Sequence, residues 1–305
     1  MKTRKIILIA ADVLLLAVCI FQWISAAKDN VKTFAFKEEA DELIIEKADG
    51  NYTLTKQGDT WVIGDKKYPA NEGSIDSMVS SVEEIRALDR MGKITNEVIS
   101  ARYDLTETKS IKVTVNAVGK TVRKITIGKE TSTGTQCYVT IDDGDEVYLV
   151  ADNLYYTFNK TVDELRSKTV YQVNKEVISS VSTTDKDGNT WTVSCSGSAD
   201  DLSWSISGAD VEVDAGAADA WFKSLAALTT TKWYDEGDRL AGERDNSLKI
   251  VAGNKTVTLD LFRIPAAGEA EKDSYYAKCN ESPYYFEVPS YAVQKFQKTA
   301  ADIAK

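Results

Sequence analysis

The chain has no histidine, and only four prolines and four cysteines among 305 residues. Without an imidazole there is no Ser-His-Asp triad, no Cys-His pair, no histidine-ligated zinc and no histidine proton switch. Three of the cysteines, Cys137, Cys195 and Cys279, lie beyond the N-terminal apolar run, odd in number and far apart. A disulfide framework is therefore excluded, and scattered thiols remain. Basic charge is also scarce, with 37 Lys plus Arg against 47 Asp plus Glu and a net charge of −10. Such a surface is repelled by phosphate backbones and anionic headgroups, so nucleic acid is not expected as a partner and the folded part should stand off a lipid surface. No GxSxG elbow, Walker loop or GxGxxG stretch occurs. No cofactor or resident metal is indicated, and the expected role is non-enzymatic.

What is present begins with Ile6 to Ile24, apolar except for Asp12 and Gln22 and preceded by Lys2, Arg4 and Lys5. At 1.5 Å per residue such a run spans roughly 28 Å, the length of a transmembrane helix. The positive-inside rule then places the N-terminus in the cytoplasm and the rest outside, in a bacterial-type single-pass topology. A cleaved signal peptide ending at Ser25-Ala26-Ala27 competes with this reading, and the length of the apolar run favours the retained anchor. Lipid modification at Cys19 is opposed by Val18, where a small residue is expected. Asp12 either pairs with a polar or basic residue on a partner's membrane helix, or is neutral or snorkels with Arg4 and Lys5 toward the cytoplasmic face. Beyond the anchor, 34 basic residues face 46 acidic ones, a net charge of −12.

After a polar lead, Leu43-Ile44-Ile45, Tyr52-Thr53-Leu54 and Trp61-Val62-Ile63 read as a meander turning at Asp49-Gly50-Asn51 and Gly58-Asp59. Asn71 can cap a helix of four to five turns carrying Ile75, Met78, Val79, Val82, Ile85 and Leu88. Strand pairs are expected at 111–118 with 122–127 and at 137–141 with 147–150, followed by a helix over about 154–166. This order recurs. Asp187-Gly188-Asn189 repeats Asp49-Gly50-Asn51, and Trp204-Ser205-Ile206 stands where Trp61-Val62-Ile63 stood. Asp214 matches Asn71, while Ala218, Trp221, Phe222, Leu225 and Leu228 match the helix positions from Ile75 to Ile85 at a constant offset of 143. Phe296, Lys298, Thr299 and Ile303 follow Phe158, Lys160, Thr161 and Leu165 at an offset of 138. The expected fold class is α+β: an N-terminal transmembrane helix, then two tandem, duplicated modules of antiparallel sheet with packed helices. Residues 1–27 would be the cytoplasmic tip and anchor, 28–40 a linker, 41–172 the first module and 177–305 the second.

Trp61-Val62-Ile63, Tyr68-Pro69-Ala70, the amphipathic helix, Arg102-Tyr103-Asp104-Leu105, Ile127-Gly128-Lys129 and Leu165-Arg166-Ser167-Lys168 together resemble the bacterial domain-of-unknown-function family 4340 (DUF4340). Where that family usually has Tyr-Gly-Leu, this chain has Asp104 for the glycine, and Asp is a residue that tolerates a left-handed backbone. The resemblance implies a membrane-anchored cell-envelope protein encoded beside gliding-motility-type ABC transporter components. No catalytic residues come with it.

Two acidic stretches are candidates for calcium sites. In Asp185-Lys186-Asp187-Gly188-Asn189 the glycine comes too early and no twelfth-position Glu follows, so a hairpin turn is expected. Asp142-Asp143-Gly144-Asp145-Glu146 could hold a weak Ca²⁺ or simply be a solvated hairpin. Residues 235–245 form a charged insert, expected as a surface loop. The aromatic doublets Tyr155-Tyr156, Trp233-Tyr234, Tyr275-Tyr276 and Tyr284-Tyr285 are more suggestive, because neighbours in a strand face opposite sides. Either one ring of each pair is buried and the other lies over the sheet edge, or the exposed rings contact a partner. The candidate contact residues are Asp12, Trp233, Tyr234, Tyr275, Tyr276, Tyr284 and Tyr285. The expected function is an extracytoplasmic interaction or scaffold protein that accompanies ABC transporter subunits. The alternative is a ligand- or polysaccharide-binding protein holding a glycan or peptide in an aromatic groove between the modules.

Overall fold

The computed structural model describes residues 15–19, 32–198, 201–235, 240, 242–266, 268 and 272–305. Residues 15–19 are helical; the remainder of the expected anchor, Asp12 included, lies outside the described residues. No helix among the described residues is long and apolar enough to cross a membrane. The expectation of an α+β fold led by a transmembrane helix is thus corrected. Among the described residues three antiparallel sheets dominate, and the longest helix has 12 residues.

The chain divides into two compact units between Ser167 and Lys168. In the first, ten strands form one sheet: β1 (Lys32–Ala35), β2 (Glu42–Glu46), β3 (Tyr52–Gln57), β4 (Thr60–Ile63), β5 (Tyr68–Pro69), β6 (Glu84–Lys93), β7 (Ile111–Ala117), β8 (Lys120–Glu130), β9 (Cys137–Ile141) and β10 (Glu146–Val150). Their spatial order is β1-β6-β10-β9-β8-β7-β2-β3-β4-β5. The helices are α1 (Glu72–Glu83), α2 (Glu97–Arg102), α3 (Leu154–Phe158) and α4 (Val162–Leu165). Helix α1 packs against β1, β4 and β6. These strands lie toward opposite ends of the order, so the twisted sheet wraps around the helix. Its stripe of Ile75, Met78 and Val82 is buried with Leu43, Leu54, Ile63, Val113 and Ile127 from the sheet.

Helix α1 ends earlier than the apolar spacing predicts. At Glu84 the chain passes straight into β6, where Ile85 and Ala87 are buried and their neighbours Glu84 and Arg86 are not. Both periods accommodate Ile85, and the pairing of β6 with β1 and β10 decides for the strand. The expected helix over 154–166 is likewise two short ones. Asn159 closes α3, and Thr161 opens α4 with a reciprocal capping box to Glu164. The polar lead contains β1, a strand that the sequence pattern does not announce.

The second unit comprises β11 (Thr169–Gln172), β12 (Ile178–Asp185), β13 (Thr190–Ser198), β14 (Asp201–Ser207), α5 (Ala215–Ser224), β15 (Ala227–Thr229), β16 (Trp233–Tyr234), β17 (Glu243–Ala252), β18 (Lys255–Ile264), β19 (Ser274–Cys279), β20 (Tyr285–Glu287) and α6 (Ser290–Phe296). Its large sheet runs β14-β13-β12-β17-β18-β19-β20-β16, and β11 pairs with β15 separately. With β12 to β14 read for β2 to β4, β17 to β20 for β7 to β10, and β16 for the later part of β6, the two orders coincide. The β11–β15 pair stands where β1 meets the start of β6. Residues 169–172, which the repeat pattern assigned to the end of the first module, therefore open the second unit.

The correspondence reaches individual bonds. Asn71 N–H donates to Leu165 O at 2.7 Å and Asp214 N–H to Ile303 O at 2.8 Å. The Asn71 side chain accepts from Ser74 N–H at 3.1 Å, and that of Asp214 from Ala217 N–H at 2.7 Å. Isolated bridges join Ala70 to Arg166 and Val213 to Ala304. One local shift breaks the simple alignment. A bulge between Val115 and Asn116 makes Arg123, and not Val122, the inward partner of Val115, where Val257 faces Ile250 in the second unit.

Candidate interaction surface

On each unit, the sheet face turned away from the core carries its own aromatic cluster. Alternation along β18 to β20 sends Leu259, Leu261, Ala277, Cys279 and Phe286 inward. Phe262, Tyr276, Lys278 and Tyr285 therefore share the opposite face. The doublets are resolved by the same rule. Tyr275 packs against the core, and its hydroxyl accepts from Gln297 Nε2 at 3.4 Å, whereas Tyr276 turns outward. Trp233 packs inward on Phe286, with ring centroids 5.7 Å apart, and Tyr234 lies opposite Tyr285 in the β16–β20 register.

Three rings of the outer face pack together. Phe262 stacks on Tyr276 at 4.9 Å and 6°, and Tyr285 meets Tyr276 edge-on at 5.7 Å. Offset stacks and edge contacts of this kind contribute about 0.5–1.5 kcal/mol each beyond area burial. Tyr276 is buried, and its hydroxyl titrates above the ordinary tyrosine value because of burial first and the neighbouring Tyr285 second. Gly242 closes over the Tyr276 ring, since a Cβ there would sit 3.2 Å from Tyr276 Cε1 and 2.7 Å from Arg263 O. Phe262, Tyr285 and Tyr234 remain half-exposed, with Lys278 Nζ 4.9 Å from the Tyr285 ring centre.

The equivalent face of the first unit is roofed. There Tyr138 occupies the position of Tyr276, and the ring packed on it, tilted by 31° with centroids 4.1 Å apart, is Tyr103 from the segment after α2. Tyr103, Leu105 and Val147 are buried in a satellite cluster with Met91, Ile94, Ile99 and Tyr138 packed against them. Gly128, at the Phe262 position, admits this roof, because a Cβ on it would lie 2.0 Å from Tyr103 O. Asp104 turns the chain there at φ 56°, in the left-handed region. Among the described residues no helix covers the second unit's cluster, and residues 236–239 and 241 of the charged insert lie outside the description.

Of the candidates from sequence, the structure brings Tyr234, Tyr276 and Tyr285 to one face and sends Trp233 and Tyr275 to the core side. Tyr284 is half-buried beside them in sequence, and Asp12 lies outside the described residues. Phe262 and Lys278 were missed. Their signal was present: Phe262 is an aromatic ring out of phase with the inward run Val257, Leu259, Leu261. Tyr156, from the remaining doublet, is exposed on α3 with Lys160 Nζ 3.9 Å from its ring centre.

The acidic stretches are tied up locally. The Asp185 carboxylate accepts from Asp187 N–H, Asn189 N–H and Asn189 Nδ2, each at 2.9 Å, and so builds the hairpin turn itself. Asp142 lies 3.2 Å from Arg123, Asp143 2.9 Å from Lys124 and Asp145 2.7 Å from Lys93, while Glu146 pairs with Arg90. Among the described residues no group of three or more Cys, Asp or Glu is placed to hold a metal ion. Burial pushes the thiols of Cys137 and Cys279 up to about 11, leaving both protonated and poorly nucleophilic near neutrality.

A family model described as "Domain of unknown function (DUF4340)" matches residues 61–241, spanning the end of the first meander through the start of the second unit's charged insert. The chain belongs to this family. No curated protein and no solved structure matches it. The residues that carried the resemblance are structural in this chain: Arg166 lies with its guanidinium 3.9 Å from the Tyr68 ring centre, and Ser167 N–H donates to Pro69 O at 2.8 Å.

Proposed function

We propose that this DUF4340 protein is a non-enzymatic interaction protein of the bacterial cell envelope. In this reading it is held at the cytoplasmic membrane by the apolar segment 6–24, presents both units outside, and serves as an accessory of an ABC-type transport system. The observation that carries the reading is the contrast between the two outer faces. The first unit covers its aromatic cluster with its own segment 94–105, whereas the second leaves Phe262, Tyr285 and Tyr234 half-exposed. Tyrosine and phenylalanine grouped on an otherwise polar sheet are the composition of protein contact sites. The chain's acidic charge would add repulsion of wrong partners around that apolar centre.

The test is co-purification of the neighbouring transporter's membrane subunits with the full chain in mild detergent. Phe262→Ala with Tyr285→Ala should reduce recovery by about tenfold or more, the scale of one or two contact hot spots. Unchanged recovery with a folded double variant contradicts the reading. A second reading rests on Lys278 and the half-exposed Tyr285 ring, which together offer a stacking platform suited to a sugar. Binding of soluble envelope polysaccharide that is lost in the same double variant, with transporter recovery intact, would select it.

A further inference from the structure

The two units differ at the free edge of the meander. In the first unit, β5 pairs along β4, with Val62 opposite Pro69 and Ile63 opposite Tyr68. Trp61, further along β4, has both main-chain groups occupied from outside the sheet: its N–H donates to Glu72 Oε1 at 3.0 Å, and its carbonyl accepts from Ala70 N–H at 3.0 Å. Such covering keeps an edge strand from pairing with another chain. In the second unit the same positions hold Trp204, Ala215 and Val213. Ala215 has no carboxylate to offer, and among the described residues no strand follows β14 along its edge, so β14 ends the sheet order.

The register fixes which groups are left facing out. Gly64 N–H donates to Thr53 O, directed inward, and Trp61, three residues back, faces outward. By the same alternation Ser203, Ser205 and Ser207 bond to β13, while Leu202, Trp204 and Ile206 direct their N–H and C=O groups away from it. No hydrogen bond among the described residues takes these outward groups.

We infer that β14 is a self-association edge, pairing antiparallel with β14 of a second copy of this chain about a two-fold axis at Trp204. In that register Trp204 lies opposite Trp204, Leu202 opposite Ile206 and Ser203 opposite Ser205. The outward groups of Leu202, Trp204 and Ile206 then meet their equivalents, and each opposed pair exchanges two N–H···O bonds. Apolar side chains fall beside apolar ones on the core face, and serines beside serines on the other. Charge selects a second copy over a charged peptide. Residues 190–198 and 202–207 bear no formal charge in a chain of net −10, and Asp201, the one charged residue of β14, falls opposite Ser207 at the far end from its copy, so two acidic molecules meet here with little repulsion and nothing attracts a charged strand. Self-complementarity under a two-fold is the requirement of an isologous dimer.

The test is sedimentation equilibrium of the full chain in an uncharged detergent, with amide exchange followed over the same concentration series. A reversible dimer is expected, with Leu202, Trp204 and Ile206 amides gaining protection as it forms. Two variants weaken the edge in different ways. Leu202→Pro removes an outward N–H without taking a bond from β13, and the exposed pair Ser203→Lys with Ser205→Lys sets lysines opposite lysines. Each should raise the dimer dissociation constant by about tenfold or more. A chain monomeric throughout, or a dimer that both variants leave unchanged, would overturn the inference.

Discussion

The carbonyl oxygen of Tyr103 occupies the space that a side chain on Gly128 would need, with a Cβ at that position only 2.0 Å away. The contact holds the roof of the first unit down on its sheet, and Lys129 N–H donating to the same carbonyl at 2.9 Å secures it. Gly128→Ala is therefore expected to destabilise the first unit by about 3 kcal/mol, the size of an overpacked core site that cannot relax. Chemical denaturation followed by tyrosine exposure measures it. A loss near zero would mean that the roof is not seated as described.

Val118 makes the opposite prediction. It sits at φ 50° in the turn between β7 and β8, a β-branched residue in the left-handed region, and its side chain is 88% exposed. Asn adopts that conformation far more readily, and Asn-Gly is the favoured pair for a two-residue hairpin. Val118→Asn should raise stability by about 1 kcal/mol, read as a higher denaturant midpoint at unchanged slope. The N–H of residue 118 donating to Asp41 Oδ2 at 2.7 Å would be kept.

Arg123 is buried in the first unit, with Nη1 donating to Phe34 O and Val82 O, both at 3.3 Å. Its Nε stands 3.2 Å from Asp142 Oδ1, out of line for a hydrogen bond. Burial lowers the guanidinium's affinity for its proton and Asp142 opposes the shift, so the group stays charged. Removing it strips two carbonyls and leaves a cavity, whereas the half-exposed Asp142 can rehydrate. Arg123→Ala is expected to cost about 3 kcal/mol and Asp142→Ala about 1. Equal costs for the two variants would contradict the arrangement. The same variant should speed amide exchange at Phe36, whose N–H donates to Glu83 O at 3.1 Å behind β1.

The turn into α4 and the final turn at Thr299 are acid-sensitive for one reason. The Glu164 and Asp302 carboxylates are held below their ordinary values, first by the backbone N–H of Thr161 and Thr299 and then by the hydroxyls of the same residues. A depressed carboxylate contributes stability in full above its unfolded value, near pH 4, and loses it as pH falls through the folded value. Glu164→Gln with Asp302→Asn should flatten the decline in stability between about pH 5 and 3. Thr161→Ala should cost about 1 kcal/mol at neutral pH. A double variant with an unaltered acid limb would show that these caps carry none of the pH dependence.

Much of the strand pattern was readable from short-range chemistry. Asp49-Gly50-Asn51 and Asp187-Gly188-Asn189 announce their hairpins, and the constant offsets match Asn71 to Asp214 and Thr161 to Thr299. The helices were overestimated because Ile85, Leu88 and Leu228 satisfy a helical spacing and an alternating one alike, and only strand partners distant in sequence decide between them. Strand β1 was invisible for a related reason: its four residues are mostly exposed and owe their conformation to β6. At the outer face, tyrosine doublets drew attention to the right strands. Which ring of each faces outward depends on the pairing of β16 and β18 to β20, which short-range pattern does not show, and Phe262 stands alone in the sequence.

Photo-cross-linking from single positions tests the central claim most directly. A photoreactive residue replacing Tyr285, on the half-exposed aromatic face of the second unit, is compared in living cells with one replacing Val98, which is 72% exposed on the roof of the first unit. The account predicts adducts to a membrane transport subunit from position 285 and few or none from position 98. Equal labelling at the two positions, or no adduct from 285 in a folded chain, would contradict it.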